Sequence, residues 1–487
     1  MRTKSTKKRR KKKVYKGVGR FVFFCVLIVA IIVGGFVTFK YLTRDNYDSE
    51  RSFEKYSKSY FKDVKASNKV GEPVESFEYG QPASVGVIYP KVGKKEIDSE
   101  IKDYIETQKS DFLGEYSGED KDKKFAMVTG YQSYESEKNT SGVALITVIK
   151  KENDRGKFEI VSEETKTFNF NTKNGSAVYP VIAFEAGYKE NIEKLLKESL
   201  EDEYGKKLKS NYKDFISSDS KATESFVITD DGVNFYFNAG TVLDKEEGVI
   251  TVKASNKDLK GILRDKINPR NIDPNKPMVA ITFDDGPKAG TSDQILDAME
   301  KYDSVATYFE LGSNVANVNG ASEILKRKEK LGCELASHSW DHPNLFTLSD
   351  AKVKEQNDKT DEAFKKAVGH APTLYRPPYG NGNEKTTKIF NKSGILWSVD
   401  TLDWKSRNKD AIMNVIKSQK TLDGRVLLLH SIHQPSADAV DLLLPWLKEK
   451  GYQTVTVSEL LIYKYKQDPT VPKFYGYNYF YGTEDEE

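Results

Sequence analysis

Apolar residues follow three rhythms along this chain. The first is unbroken: Phe21 to Phe39, "FVFFCVLIVAIIVGGFVTF", runs 19 residues without a charge. That is long enough to cross a bilayer as a helix. A polar, charged stretch over 40–66 follows and predicts a stalk. The second rhythm is mixed. Ile97, Ile101, Tyr104, Ile105 and Phe112 fall at helical spacing. Strand-like runs follow at Phe125 to Val128, Val143 to Ile149, Phe158 to Val161 and Thr167 to Phe170. After the turn signal Asn174-Gly175 comes another amphipathic helix, through Ile192, Leu195, Leu196 and Leu200. The runs "SFVIT" and "VNFYFN" then flank Asp230-Asp-Gly232, which predicts a hairpin.

The third rhythm begins after a proline-marked linker, Asn268-Pro269 and Asp273-Pro-Asn-Lys-Pro277. Short apolar runs now alternate with helical patterns. Strands are predicted at Val279–Phe283, Ala306–Phe309, Glu334–Ala336, Thr373–Tyr375, Leu396–Val399, Val426–Leu429 and Thr454–Val457. Helices are predicted near 291–302, 321–331, 349–368, 384–392, 408–419 and 436–450, several of them stopping at Gly332, Gly369, Gly394 or Gly451. Repeated β–α units imply a parallel sheet or barrel with helices outside, and seven strands favour a barrel, closed or incomplete. The predicted order is a basic tail (1–20), a transmembrane helix (21–39), a stalk (40–66), two small α+β domains (67–172 and 173–267), a β/α barrel domain (268–465) and an aromatic, acidic tail (466–487).

Charge sharpens the reading of the first segment. The first 20 residues hold 11 Lys or Arg and no acid, leaving 65 of the 76 basic residues against all 73 acidic ones. The basic excess is therefore a tail and not a nucleic-acid-binding surface. A basic flank orients an uncleaved anchor with its N-terminus in the cytosol and everything after residue 45 outside. A buried core helix is the bland alternative. A cleaved signal peptide is the more serious one, but its apolar region should be shorter and end at small residues, whereas Lys40-Tyr-Leu-Thr-Arg44 follows here. Of the two cysteines, Cys25 lies in the span, which leaves Cys333 alone outside and without an intramolecular disulfide partner. Export without disulfides suits a Gram-positive surface. The units over 67–267 lack clustered histidines, paired acids or phosphate loops. They read as scaffold or, on the sharper reading, as a module gripping wall glycan or a protein. The tail "KFYGYNYFYGTEDEE" either stacks on sugars, docks back, or stays disordered.

The chemistry-bearing residues gather where predicted barrel strands end, on the face where such folds place function. Asp284 and Asp285 end the first strand in "TFDDGP", His338 and His342 follow the third in "SHSWDH", and Arg376 follows the fourth in "RPPYG". Asp400 and Asp403-Trp404 follow the fifth, and His430 the sixth in "LLLH". The chain has only five histidines, and three are here. His338 and His342 stand one turn apart if their loop is helical, as two metal ligands require, though a polar surface pair shares that spacing. Asp285 completes a facial Asp–His–His site, which frees Asp284 to act as a base beside a neutralised neighbour. A metal there would activate water near neutral pH. His430 suits the proton donor that a leaving amine needs, and Asp403 could raise its pKa. Arg376 either holds Asp284 ionised or is a structural ion pair. A backbone N–H near Tyr379 could face an oxyanion. Asp400 and Asp403 are not both needed; one is a cap or loop carboxylate. Trp404 and Leu428 are either core residues or the apolar wall for an acyl methyl. His370 and His433 receive no role.

These segments resemble the polysaccharide deacetylases of the NodB-homology type, carbohydrate esterase family 4, over about residues 268–465. Five motifs stand in the family's order: "TFDDGP", "HSWDH", "RPPYGNGN", "DTLDW" and "LLLH". The resemblance implies a distorted β/α barrel, Asp284 as base, His430 as acid, and Asp285, His338 and His342 as zinc ligands, with Co2+ or Mn2+ as alternatives. It also implies Arg376 and Asp403 as tuning partners and the Tyr379 amide as oxyanion donor. No position departs from that pattern, so an inactive relative is not expected. The layout of anchor, two small units and C-terminal catalytic domain resembles that of streptococcal peptidoglycan N-acetylglucosamine deacetylases. The resemblance thus implies removal of acetyl from wall glycan, with lysozyme resistance as the consequence. Deacetylation of another polymer, such as an exopolysaccharide, chitin oligomers or acetyl xylan, is the runner-up. A surface binding or sensing protein acting through 67–266 is the rival of a different class.

Overall fold

The computed structural model describes residues 49–481, apart from 69, 119–122, 218–219, 221–222 and 269. The basic tail, the apolar segment 21–39 and the first part of the expected stalk lie outside the described residues. Among the described residues no helix is long and apolar enough to cross a membrane. The chain divides into two compact units. One comprises residues up to Lys91 with Lys102–Gln132 and Leu145–Glu164, the other Val92–Ile101, Ser133–Ala144 and Thr165 onward.

The first unit opens with a helix, Glu50–Ser67, where a stalk was expected. Phe53, Tyr56, Tyr60, Phe61 and Val64 recur every three or four residues and form its buried stripe. Lysines and serines dominate the composition of this segment and hide that stripe. Ser49 caps the helix by accepting the Ser52 N–H at 3.2 Å. Strands β1 (Glu72–Glu78) and β2 (Ala83–Lys91) form an antiparallel pair, and the Phe53 ring lies 5.2 Å from that of Phe77. The sheet continues in chain order through β3 (Phe125–Ser136), β4 (Thr140–Glu152) and β5 (Phe158–Asn171).

In the second unit, β6 (Phe226–Thr229), β7 (Gly232–Phe237) and β8 (Ile250–Ser255) make an antiparallel sheet, with the predicted hairpin at Asp230-Asp231. The helix Tyr188–Tyr204 buries Ile192, Leu196 and Leu200. No gap in packing marks residue 267. One core cluster runs from Ile182, Phe184 and Phe235 through Ile267 and Ile272 into Met278, Phe309, Leu461 and Tyr475.

The third-rhythm strands form a wholly parallel sheet centred on β9 (Met278–Asp284). To one side lie β10 (Thr307–Glu310), β11 (Glu334–Ser337), β12 (Leu374–Tyr375), β13 (Ser393–Ile395) and, at the edge, β17 (Phe474–Tyr475); to the other lie β15 (Val426–His430) and β14 (Val399–Asp400). β16 (Gln453–Val455) pairs with the first half of β9. Alternation along β9 splits its side chains. Met278 and Ala280 enter one core cluster, while Val279, Ile281 and Phe283 join a second with Ile295, Leu296, Leu443 and Leu447 of the covering helices. The strand expected at Leu396–Val399 is instead two short ones far apart in the sheet order, β13 next to one edge and β14 at the other. Ile395 and Val399 are four residues apart, so the two strands lie within about 14 Å of each other. The sheet is therefore curled into a half-barrel. The aromatic tail docks: β17 pairs with β13, and Tyr475 and Phe480 are buried.

Candidate functional site

The register of the sheet brings the site together. Asp284 ends β9 beside Phe309 of β10 and His430 of β15. Its carboxylate is buried, with Oδ1 accepting from Arg376 Nη1 at 2.7 Å. The guanidinium is fully buried and tied down on all sides. It also donates to Thr282 Oγ1 at 2.8 Å, Ile395 O at 3.1 Å and Leu396 O at 3.3 Å, and stacks 4.0 Å over the Phe309 ring. Burial raises Asp284 above the usual carboxylate range, and the Arg376 charge opposes that rise. The chain thus keeps one carboxylate dry, oriented and paired.

Asp285 turns away from its neighbour because its backbone is left-handed, with φ 69°. Its carbonyl accepts from Asn314 Nδ2 at 2.7 Å. Gly286 is required next: a Cβ there would stand 2.4 Å from Glu310 Oε2 and 2.5 Å from Ser431 Oγ. His338 Nδ1 lies 2.8 Å from the Arg376 carbonyl, which leaves Nε2 for the site. That Nε2 lies 3.6 Å from both Asp284 Oδ2 and Asp285 Oδ1, and His342 Nε2 lies 3.7 Å from Asp285 Oδ1. The loop carrying the two histidines is not helical. Ser339 and His342, both at φ 66°, bend it so that the rings meet edge to face, centroids 4.9 Å apart. Burial pushes His338 down to about 3, against the pull of Asp285. A neutral imidazole is the ligating form.

The fit of this group to a metal ion rests on two observations. The donor atoms of Asp285, His338 and His342 all lie within 4.8 Å of one another. Asp285 Oδ1 is buried without a hydrogen-bond partner, a costly state for a carboxylate oxygen that a cation would relieve.

Opposite them, Asp403 carries His430. Asp403 is fully buried, and Oδ1 lies 2.8 Å from His430 Nδ1 and accepts the Trp404 N–H at 2.8 Å. Oδ2 accepts the His430 N–H at 2.7 Å and the Ser436 hydroxyl at 2.5 Å. Burial alone would lower His430, but the hydrogen bond and charge of Asp403 outweigh it and raise it to about 9. Of the two acids weighed, Asp403 is thus the one on His430, while Asp400 accepts the Leu402 N–H in a local turn. Tyr379 is exposed, left-handed at φ 60°, and edge-on to His342 with centroids 4.5 Å apart. Leu428 is buried on β15, two residues from His430 and so on the same face of the strand; Trp404 is half-exposed.

Four functional supports escaped sequence reasoning. Ser436 and Thr282 are hydroxyls whose partners lie far away in sequence, and Asn314 is one more polar residue in a helix. The fully buried ion pair of Glu310 with Lys328 has a signal only in hindsight: an acid ending the apolar run of β10. Glu310 backs Gly286, and its carbonyl accepts the His338 N–H at 2.8 Å. A cavity of about 1200 Å³ lies elsewhere, with walls that include Glu185, Arg264, Glu329, His370 and Lys392, and it contains none of the rim residues.

The chain is also similar to known proteins. A family model described as polysaccharide deacetylase matches residues 271–396, and one described as a protein of unknown function matches 183–254. The chain is 30% identical over 478 residues to peptidoglycan-N-acetylmuramic acid deacetylase PdaC of Bacillus subtilis, covering 91% of this chain and 97% of that protein. It is 40% identical over 182 residues to peptidoglycan-N-acetylglucosamine deacetylase PgdA of Listeria monocytogenes, covering 37% of this chain and 38% of that one. Among solved structures, that of PdaC from Bacillus subtilis is 43% identical over 40% of this chain and 95% of its own, with a TM-score of 0.38.

Proposed function

Since this chain belongs to the polysaccharide deacetylase family, we propose that it hydrolyses the acetamide groups of peptidoglycan sugars and releases acetate. The observation that carries this reading is the rim itself. A dry base, an acid raised to about 9 and a three-donor cation site face one another, in a chain alignable with a peptidoglycan deacetylase along nearly its whole length.

Asp285, His338 and His342 would hold a divalent cation, zinc by expectation. When bound it supplies Lewis-acid polarisation of water and of the amide carbonyl. Asp284, fixed through Oδ1 by Arg376, takes the proton of the attacking water on Oδ2. The Tyr379 N–H faces the developing oxyanion. His430, whose Nδ1 is bound to Asp403, gives the proton on Nε2 to the departing amine. Leu428 and Trp404 form the apolar wall beside the acetyl methyl.

N-acetylglucosamine is the sugar expected from the resemblance in domain layout. N-acetylmuramic acid is the second reading, favoured by the name of the relative that aligns over almost the whole chain. Removal of acetyl groups would leave amines that hinder lysozyme. We place the chain at a Gram-positive surface, held by residues 21–39 with the catalytic region outside, on the strength of the uncharged run and its basic flank. The test is acetate release from purified peptidoglycan by the full chain, with and without EDTA, followed by mass analysis of the digested wall. Equal release with and without EDTA removes the metal reading, and the masses identify the sugar.

A further inference from the structure

Two cations on the His430 side of the rim have no part in the chemistry above. Lys288 follows the Asp284–Pro287 turn and is exposed, with Nζ donating to Ile432 O at 2.8 Å. Arg407 is also exposed. Its backbone sits at φ 48°, where a non-glycine residue is strained, and its N–H is bound to Asp403 O at 3.1 Å. Its Nε donates to Trp404 O at 2.9 Å, and Nη1 meets His433 Nδ1. Both cations are therefore held on adjacent residues, 432 and 433, of one turn. That turn follows the acid directly, and the His433 ring lies 5.8 Å from the His430 ring. Burial and then the Arg407 charge lower His433, and a neutral ring with its proton on Nε2 accepts from Arg407 at Nδ1. Neither cation is paired with a carboxylate among the described residues. Two long, flexible side chains fixed beside an active site without counter-ions are prepared for an anion.

We propose that Lys288 and Arg407 form a carboxylate subsite on the leaving-amine side of the rim, and that the enzyme favours sugars whose neighbouring substituent is acidic over neutral ones. The inference rests on the deacetylase reading. His430 must reach the nitrogen on C2 of the sugar, so a substituent on O3, one carbon away, falls within reach of the residues around His430. A 3-O-lactyl group, which distinguishes muramic acid from glucosamine, puts a carboxylate there. A stem peptide attached at the same place carries its carboxylates farther out. His433 becomes a positioning residue for Arg407.

The experiment compares kcat/KM for acetate release by the full chain on three glycans: a neutral chitin oligosaccharide, peptide-free wall glycan, and wall glycan with stem peptides. The wild type should favour an acidic glycan, and less so as salt rises. In Arg407→Gln and Lys288→Gln, that preference should fall about tenfold, mostly through KM, and Arg407→Lys should keep much of it. A fall on the peptide-free glycan assigns the lactyl carboxylate; a fall confined to the third glycan assigns the stem peptide. A preference unchanged to within about twofold in both variants and in the double variant overturns the subsite. Acetate from none of the glycans with the wild type overturns the deacetylase reading instead.

Discussion

At the scale of single residues, Asp403 shows how burial becomes function. Four donors converge on its two oxygens, so it stays ionised in a dry place and keeps His430 protonated. A His raised from its ordinary value to about 9 contributes stability below the ordinary value, and loses it as pH rises through about 9. In the proposed reaction His430 gives its proton to the amine, so activity should fall above about pH 9. Asp403→Asn keeps the shape but removes the charge. Burial is then opposed only by the charges of Asp284 and Asp285, so the alkaline limb should move to lower pH, and kcat should drop about a hundredfold or more. An unmoved limb in the pH profile would deny Asp403 this role. Across the rim, the adjacent aspartates should separate by a different measurement. Asp284→Asn should retain the cation and lose turnover by about a hundredfold or more, whereas His338→Ala should lose the cation, read by metal content after gel filtration. These residues were legible in the sequence because each is a polar residue at or just after the end of an apolar run. Glu310 meets the same description and was passed over, since its partner Lys328 lies 18 residues on and only the folded helix brings it near.

At the scale of elements, that pair ties the helix Ala321–Lys330 to β10, and β10 to the turn holding Asp285. Burial raises Glu310 while Lys328 opposes, and Glu310 Oε2 has no hydrogen-bond partner. Lys328→Met should cost roughly 3–5 kcal/mol in denaturant unfolding, because it strands a buried carboxylate; adding Glu310→Leu should recover much of the loss. No recovery in the double variant would mean that the two do not act as a pair. Elements were legible where period and punctuation agreed, as in β9, β15 and the 230–231 hairpin. They were illegible where tertiary pairing decided. The run 396–399 has strand-forming residues, yet the chain needs those positions to cross from β13 to β14, at the far edge of the sheet. The aromatic tail gave no strand period, yet Phe474–Tyr475 completes an edge because β13 offers one. The helix Glu50–Ser67 was hidden by composition, although its aromatic stripe keeps helical spacing.

At the scale of the whole molecule, motif spacing marked a catalytic region beginning near 268, but cores are built from side chains that motifs do not mention. Leu259, Leu263, Ile267 and Ile272 lead into the half-barrel within one cluster, which also holds Phe184, Phe226, Leu460 and Leu461. Arg270 reinforces the junction, donating to Thr454 O at 2.9 Å and to Glu459 Oε2 at 2.6 Å. A fragment starting at 268 keeps Arg270 and every residue of the rim but uncovers apolar surface on the far side of the same core. Activity and stability should therefore part company. A 268–481 fragment should still release acetate at low temperature, while melting roughly 5–10 °C below a 165–481 fragment, a shift worth a few kcal/mol for a domain of this size. Equal melting temperatures would make residues 165–267 an independent module. A lower one would make them part of what keeps Asp284, His430 and the Asp285–His338–His342 group facing each other.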